Sequence, residues 1–430
     1  MSYPASTRSV AQITTNGGVA EEKKAIRTAA DLPLGWPRGG GGDPSEAPEA
    51  PRTGPIRVAA AYLHIPFCFH KCHYCDFYSI VDRKDRQAAF TGRLVEELSV
   101  AGPLVAGPIE SVFVGGGTPT LLAPALWREL GAAVGRHLPL APGAEITVEA
   151  NPETVTAEVV DVLVEAGVNR ISIGAQSFDP GHLRTLERWH DPANVARSVA
   201  LARAGGVEDV SLDLIFGIPG QALDDWSADL DAALALAPTH LSCYGLMYEP
   251  GTPLTTRLGR GEIERVDEDV EAAMYETTIE RLAGAGFEHY EISNWARPGR
   301  RCRHNLAYWT NESWWPLGPG ASGHVAGWRW KNVPRLADYL EHGPLPPITD
   351  AEHLDEDGRA GEELMLRLRL VEGVESGVLE SLLERGGSGP ARRAAIGRGL
   401  DDGLLERAHG RLRFSGRGLL LADSVIREIL

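Results

Sequence analysis

Three cysteines fall within eight residues, Cys68-Phe69-His70-Lys71-Cys72-His73-Tyr74-Cys75. Thiolates are soft ligands, and three of them on one loop can each hold one iron of a cubic iron–sulfur cluster. The fourth iron is then left without a nearby protein ligand, which suits a cluster that binds and reduces a small molecule directly. Zinc is the competing reading. A structural zinc site wants four ligands, and only His70 and His73, inside the same tight loop, are at hand to complete one. The chain of 430 residues has five cysteines in all. So few, in an odd number, disfavour a disulfide scaffold and favour a reducing, cytoplasmic setting. Cys243 falls inside an apolar run and reads as a small buried hydrophobe.

The elements that must carry this loop alternate in type. Apolar runs at Val58–Ile65, Ser111–Val114, Glu145–Glu149, Arg170–Ala175, Val210–Phe216 and His240–Leu246 suit buried strands. Helix-period segments separate them, which predicts parallel βα units with right-handed crossovers. Six such units predict an α/β fold, an incomplete (β/α)6 TIM-like barrel. The unusual residues cluster just after strands, the end at which such folds bind and react. After strand one comes the Cys loop, and after strand two Gly115-Gly116-Gly117-Thr118-Pro119. Strand three ends at Glu149, strand four at Gln176, and strand five carries Asp213.

The chain divides into four parts. Residues 1–55 are rich in Gly and Pro and read as a disordered extension. Residues 56–290 form the barrel, 291–350 an irregular bridge rich in aromatics, and 351–430 a small helical domain with a hairpin, winged-helix-like. With 42 Lys+Arg against 59 Asp+Glu the net charge is −17, which argues against a nucleic-acid binder. No apolar run is long enough to span a membrane and the start has no signal-peptide core, so a cytoplasmic protein is expected, with peripheral membrane contact left open.

The CxxxCxxC spacing resembles the signature of radical S-adenosylmethionine (SAM) enzymes. The wider match is to the family of oxygen-independent coproporphyrinogen oxidases and HemW-type haem chaperones. It runs through Tyr62-Leu63-His64-Ile65-Pro66-Phe67-Cys68, Cys75-Asp76-Phe77-Tyr78-Ser79, Gly115 to Thr120, Arg170 to Ser177 and Asp213 to Gln221. The resemblance covers about residues 58–430. It implies a 4Fe-4S cluster on Cys68, Cys72 and Cys75 whose open iron binds SAM, with one electron cleaving the sulfonium to give methionine and a 5′-deoxyadenosyl radical. It implies that Gly116, Gly117 and Thr118 hold the methionine part, without Cβ atoms at the glycines. It implies SAM contacts from Glu149, Gln176, Arg188 and Asp213, with Tyr62 and Tyr74 flanking the cluster. Read singly, Glu149 suits a helix cap equally, Arg188 a surface ion pair, and the tyrosines the core.

Two features incline the resemblance toward the chaperones. The oxidases carry a further Cys two residues after the third ligand, where this chain has Phe77. The segment Cys302-Arg303-His304-Asn305-Leu306-Ala307-Tyr308-Trp309 resembles the HNxxYW motif that the chaperones associate with haem. The resemblance thus implies His304 as a haem ligand with Cys302 as a rival, and Arg297, Arg300, Arg301 and Arg303 as partners for propionates. The bland alternative is that His304 hydrogen-bonds in the core. The implied function is to bind haem and pass it to haem-accepting proteins, with an electron donor serving the cluster. The alternative is oxidative decarboxylation of coproporphyrinogen III.

Overall fold

The computed structural model describes Thr28, Ala29, Leu32 and residues 55–430. At its centre are six strands, β1 (Ala60–Ile65), β2 (Ile109–Gly116), β3 (Leu140–Ala150), β4 (Arg170–Gln176), β5 (Asp209–Phe216) and β6 (His240–Gly245). They lie side by side in chain order, every pair parallel. Helices return the chain between them, among them α1 (Gln87–Ala101), α2 (Pro124–His137), α3 (Ala157–Glu165), α4 (Pro180–Thr185), α5 (Ala193–Ala204) and α6 (Leu223–Ala235).

Within these strands the chain alternates with period two, which sends successive side chains to opposite faces. Ile171, Ile173, Val210, Leu212, Leu214, Leu241 and Cys243 face the helices and are buried in the main core. The intervening residues are polar: Arg170 and Ser172 on β4, Ser211 and Asp213 on β5, His240 and Ser242 on β6. One face of the sheet therefore packs helices while the other lines a polar barrel interior.

The sheet does not end at six strands. Residues 291–350 were expected as an irregular bridge, but they supply most of its flanks. The chain continues through β7 (Glu288–Glu291), β8 (Asn294–Ala296), a short helix α7 (Arg303–Trp309), β9 (Trp314–Leu317), β10 (Ser322–Val325), β11 (Trp328–Asn332) and β12 (Ile348–His353). β8 pairs antiparallel with β6, and β9 pairs parallel with β1, followed outward by β10, β11 and β12. The reason is physical. An incomplete barrel leaves the edges of β1 and β6 with unpaired backbone groups, and these strands satisfy them. Trp295, Trp315 and Trp330 anchor them in the main core.

The last part of the chain builds a core of its own from Leu364, Leu379, Leu382, Leu405, Leu412 and Ile429. Helices Glu356–Leu368, Ser376–Glu384 and Gly389–Asp401 precede the hairpin Leu405–Ala408 and Arg411–Phe414. Two short helices, Gly416–Leu420 and Ala422–Ile429, broken at Leu421, close the chain. Arg393, Arg398, Arg411 and Arg413 each pair with a glutamate, which removes them as a free basic face. The expected disordered extension lies largely outside the described residues. Ala29 and Leu32, which are described, are buried in the main core, and Thr28 bridges to Pro347. No described helix is long and apolar enough to cross a membrane.

Candidate cofactor site at the open end of the barrel

The Cys loop leaves β1 and is pinned at both ends. Phe67–Cys68 pairs with Ile80–Val81, and the Ile80 N–H donates to the Pro66 carbonyl at 2.8 Å. Neighbouring loops hold its middle: the His73 N–H donates to Leu186 and the Leu254 N–H donates to His73. Cys72 is buried, and Cys68 and Cys75 are partly so. Burial raises the Cys68 thiol and pushes Cys75 up to about 12. Among the described residues no three His, Cys, Asp or Glu side chains gather around a single metal position. A four-iron cluster does not ask for that, because each thiolate takes its own iron.

The glycine turn after β2 packs directly on this loop. The Gly117 N–H donates to the Ile65 carbonyl at 2.8 Å and the Thr118 N–H to Phe67 at 2.7 Å. A Cβ on Gly117 would fall 2.7 Å from the Phe67 carbonyl oxygen. Gly116 has φ +103°, and a Cβ there would meet the His64 ring at 2.3 Å. His64 accounts for the crowding: its ring bridges the Tyr62 hydroxyl at 3.1 Å and the Tyr78 carbonyl at 2.8 Å. Tyr62 itself stacks on Phe113 at 6.3 Å, inside the barrel, and burial raises its hydroxyl pKa well above the usual value.

The polar groups expected from strands three to five converge on the same mouth. Glu149 accepts the Gly116 N–H at 3.0 Å and lies where a Cβ on Gly115 would be. Gln176 adopts φ +63° at a bulge ending β4. Gly174, without a Cβ, leaves room for both the Gln176 amide and the Arg188 guanidinium. Arg188 donates to the Gly174 carbonyl at 3.0 Å and to Cys72 Sγ at 3.7 Å, while its Nε is buried with no partner among the described residues. Asp213 accepts from Ser172 at 3.0 Å. Burial pushes its carboxyl up to about 6, the Ser242 hydroxyl pulls it back, and the Glu149 charge adds to the rise. Tyr74 packs with Leu186, Ile215 and Leu254 beside the loop. Two carboxylates, a guanidinium with an unused donor and a glycine cradle next to three thiols suit a ligand with ammonium and carboxylate groups.

His304 is elsewhere. It is 1 % exposed, with one ring nitrogen 3.0 Å from Ser111 Oγ and the other 2.9 Å from the Tyr308 hydroxyl. Burial lowers its pKa to about 3. Ser111 stands four residues before Gly115, about 13 Å along β2. The HNxxYW segment therefore plugs the opposite end of the barrel. Glu145 holds it there, accepting from Cys302 Sγ, the Arg303 N–H and the His304 N–H. An outward-facing imidazole is not what the structure contains, because both ring nitrogens are engaged. The arginines expected to face propionates are engaged as well: Arg297 with the Ala285 carbonyl, Arg300 with Asp209, Arg301 with Glu288 and Arg303 with the Gly143 carbonyl. Cys243 is a core residue, as its place in a strand suggested.

Sequence reasoning missed His64, Gly174, Ser172, Ser242 and the Glu145–Arg170 pair. The signal was the period-two polar alternation within strands read only as apolar runs.

A parallel barrel with three cysteines on its first loop and polar groups at the following strand ends defines a radical SAM protein. Residues 62–233 match the Radical SAM superfamily, and membership implies a 4Fe-4S cluster and SAM. The Escherichia coli coproporphyrinogen III oxidase HemN shares the fold, at TM-score 0.74 and 20 % identity over 87 % of this chain and 90 % of that one. Sequence relatives narrow the assignment. The HemW haem chaperone of Mycobacterium tuberculosis (strain ATCC 25618 / H37Rv) is 40 % identical over 393 residues, 89 % of this chain and 98 % of the relative. That of Bacillus subtilis (strain 168) is 36 % identical over 323 residues, 74 % and 85 % of the two chains. The chain belongs to the HemW family of haem chaperones.

Proposed function

We propose that this protein takes up haem and delivers it to haem-accepting proteins in the cytoplasm. We assign Cys68, Cys72 and Cys75 as the cluster ligands, and Gly116, Gly117, Thr118, Glu149, Gln176, Arg188 and Asp213 as the SAM cradle, with Tyr62 and Tyr74 packed beside it. When bound, the cluster supplies one electron to SAM, drawn from an external donor. The protein's own groups orient and shield. Arg188 presents its unused Nε to the SAM carboxylate, Glu149 and Asp213 attract the positive groups, and Gly116 and Gly117 let the backbone approach.

The observation that carries the chaperone reading is Phe77 in the position of the oxidases' fourth cysteine. Haem contact at His304 requires α7 to release Tyr308 or Ser111 from the imidazole. A groove of about 460 Å³ lies beside this helix, lined in part by Arg57, Ser111, Arg303, Leu306 and Thr310. In this reading haem approaches along that groove before the release.

Anaerobically reconstituted protein should show the EPR signal of a reduced four-iron cluster that changes on adding SAM. It should also develop a Soret band with haem and lose it to an added apo-haem protein. His304→Ala should weaken haem uptake while keeping the cluster signal. A triple Cys68→Ala, Cys72→Ala, Cys75→Ala variant that kept its iron and sulfide would falsify the ligand assignment.

A further inference from the structure

The three thiols do not have equivalent surroundings. Cys72 receives the Arg188 guanidinium, a group already used by the SAM cradle. Cys68 faces the hydroxyl of Thr118, a residue also assigned to the SAM cradle, and shares its face of the loop with a second hydroxyl. Thr118 Oγ1 donates to Cys68 Sγ at 3.6 Å. Thr118 is 5 % exposed, and its N–H is bonded to Phe67, the residue before Cys68, which holds its backbone against the loop. The second hydroxyl belongs to Ser79, on the return arm of the same loop. Ser79 is 8 % exposed, and its Oγ has no hydrogen-bond partner among the described residues. A buried hydroxyl without an acceptor is costly, by roughly 1–3 kcal/mol. The register Phe67↔Ile80 and Cys68↔Val81 sets Ser79, one residue before Ile80, on the same face of this strand pair as Cys68.

We infer that Thr118 and Ser79 are positioning residues that donate hydrogen bonds to the Cys68 sulfur and so set the reduction potential of the cluster. The inference rests on the cluster assignment proposed above. Hydrogen bonds to cluster sulfurs stabilise the more negative, reduced state and raise the potential. In the step concerned the cluster gains one electron, here from dithionite, with no bond made or broken and no proton moved. Two donors on Cys68 therefore favour reduction and make its iron electronically distinct from that at Cys75. With the cluster bound, Cys68 Sγ would be the acceptor that Ser79 Oγ otherwise lacks.

The test uses the full chain, reconstituted anaerobically with iron and sulfide, without SAM, and titrated with dithionite while the EPR signal is followed. Thr118→Val should keep four irons and four sulfides but shift the midpoint potential to a more negative value and alter the g-values. Thr118→Ser should restore both. Ser79→Ala should shift the potential in the same direction, and the double variant further than either single one. A Thr118→Val, Ser79→Ala protein with the parent potential and g-values would overturn the inference. If Thr118→Val does not load, Ser79→Ala and Thr118→Ser decide, and a parent potential in Ser79→Ala then overturns it. Failure of the parent protein to hold four irons is a different result and counts against the cluster assignment.

Discussion

Glu145 accepts from Arg170 Nε at 3.3 Å and from the His304 backbone N–H at 3.2 Å, so one buried carboxylate ties the floor of the barrel to the HNxxYW helix. Removing it leaves the buried Arg170 guanidinium without its carboxylate, holding only the Arg300 carbonyl. Glu145→Ala should cost about 3–5 kcal/mol in urea unfolding. It should also speed haem association, since the helix loses its latch. An unfolding midpoint within error of the parent would show that the network does not hold this end closed.

Gly116→Ala places a Cβ at φ +103° and against the His64 ring. Strain of about 1–3 kcal/mol is expected from the backbone alone. His64 bridges Tyr62 to the Cys loop, so the effect should reach the cofactor. Thermal melting should fall by several degrees, and the EPR change on adding SAM should shrink. A variant with a lower melting point and an unchanged SAM response would place the cradle elsewhere.

Asp213 has a carboxyl pushed up to about 6, chiefly by burial. Its ionised form attracts the positive groups of SAM and can only accept hydrogen bonds. SAM affinity should therefore fall as pH drops through 6, by up to about tenfold per unit for one proton. Asp213→Asn should bind SAM more weakly at pH 8 and lose this dependence. Equilibrium binding between pH 5.5 and 8 checks both.

Glu97, on α1, accepts from the Tyr339 hydroxyl at 2.6 Å and the Gly318 N–H at 3.1 Å, with Arg93 beside it. Burial pushes it up to about 7. The folded state then holds a proton that the unfolded chain releases at lower pH, so its contribution is complete below about 4.5 and is lost as pH rises through 7. Replacing it by Gln should flatten the fall in stability over that range, measured by urea unfolding at several pH values. An unchanged slope would assign the dependence to other groups.

Much of the candidate site was legible because the proposed chemistry demands particular residue types. Three thiolates in eight residues and a triple glycine one βα unit later have few structural explanations. Glu149 and Gln176 at strand ends and Asp213 within strand five stood out because parallel folds react at that end, and the family resemblance supplied their role. Less legible were features that depend on what the fold leaves unsatisfied. Nothing local marks Trp314–Leu317 as a strand. It forms one because β1 presents an open edge. His304 and the arginines from 297 to 303 looked available to a ligand in sequence. Their partners, Ser111, Tyr308, Asp209 and Glu288, are distant in the chain or separated by a turn of helix, and only the fold shows that they are taken.

The central claim is a chaperone on a radical SAM fold, not a decarboxylase. The most direct measurement offers the anaerobically reconstituted protein, with SAM and a reductant, haem and coproporphyrinogen III in separate reactions. The account predicts a stable Soret band with haem and no protoporphyrinogen from the other substrate. Turnover of coproporphyrinogen III to protoporphyrinogen, with no lasting haem complex, would contradict it.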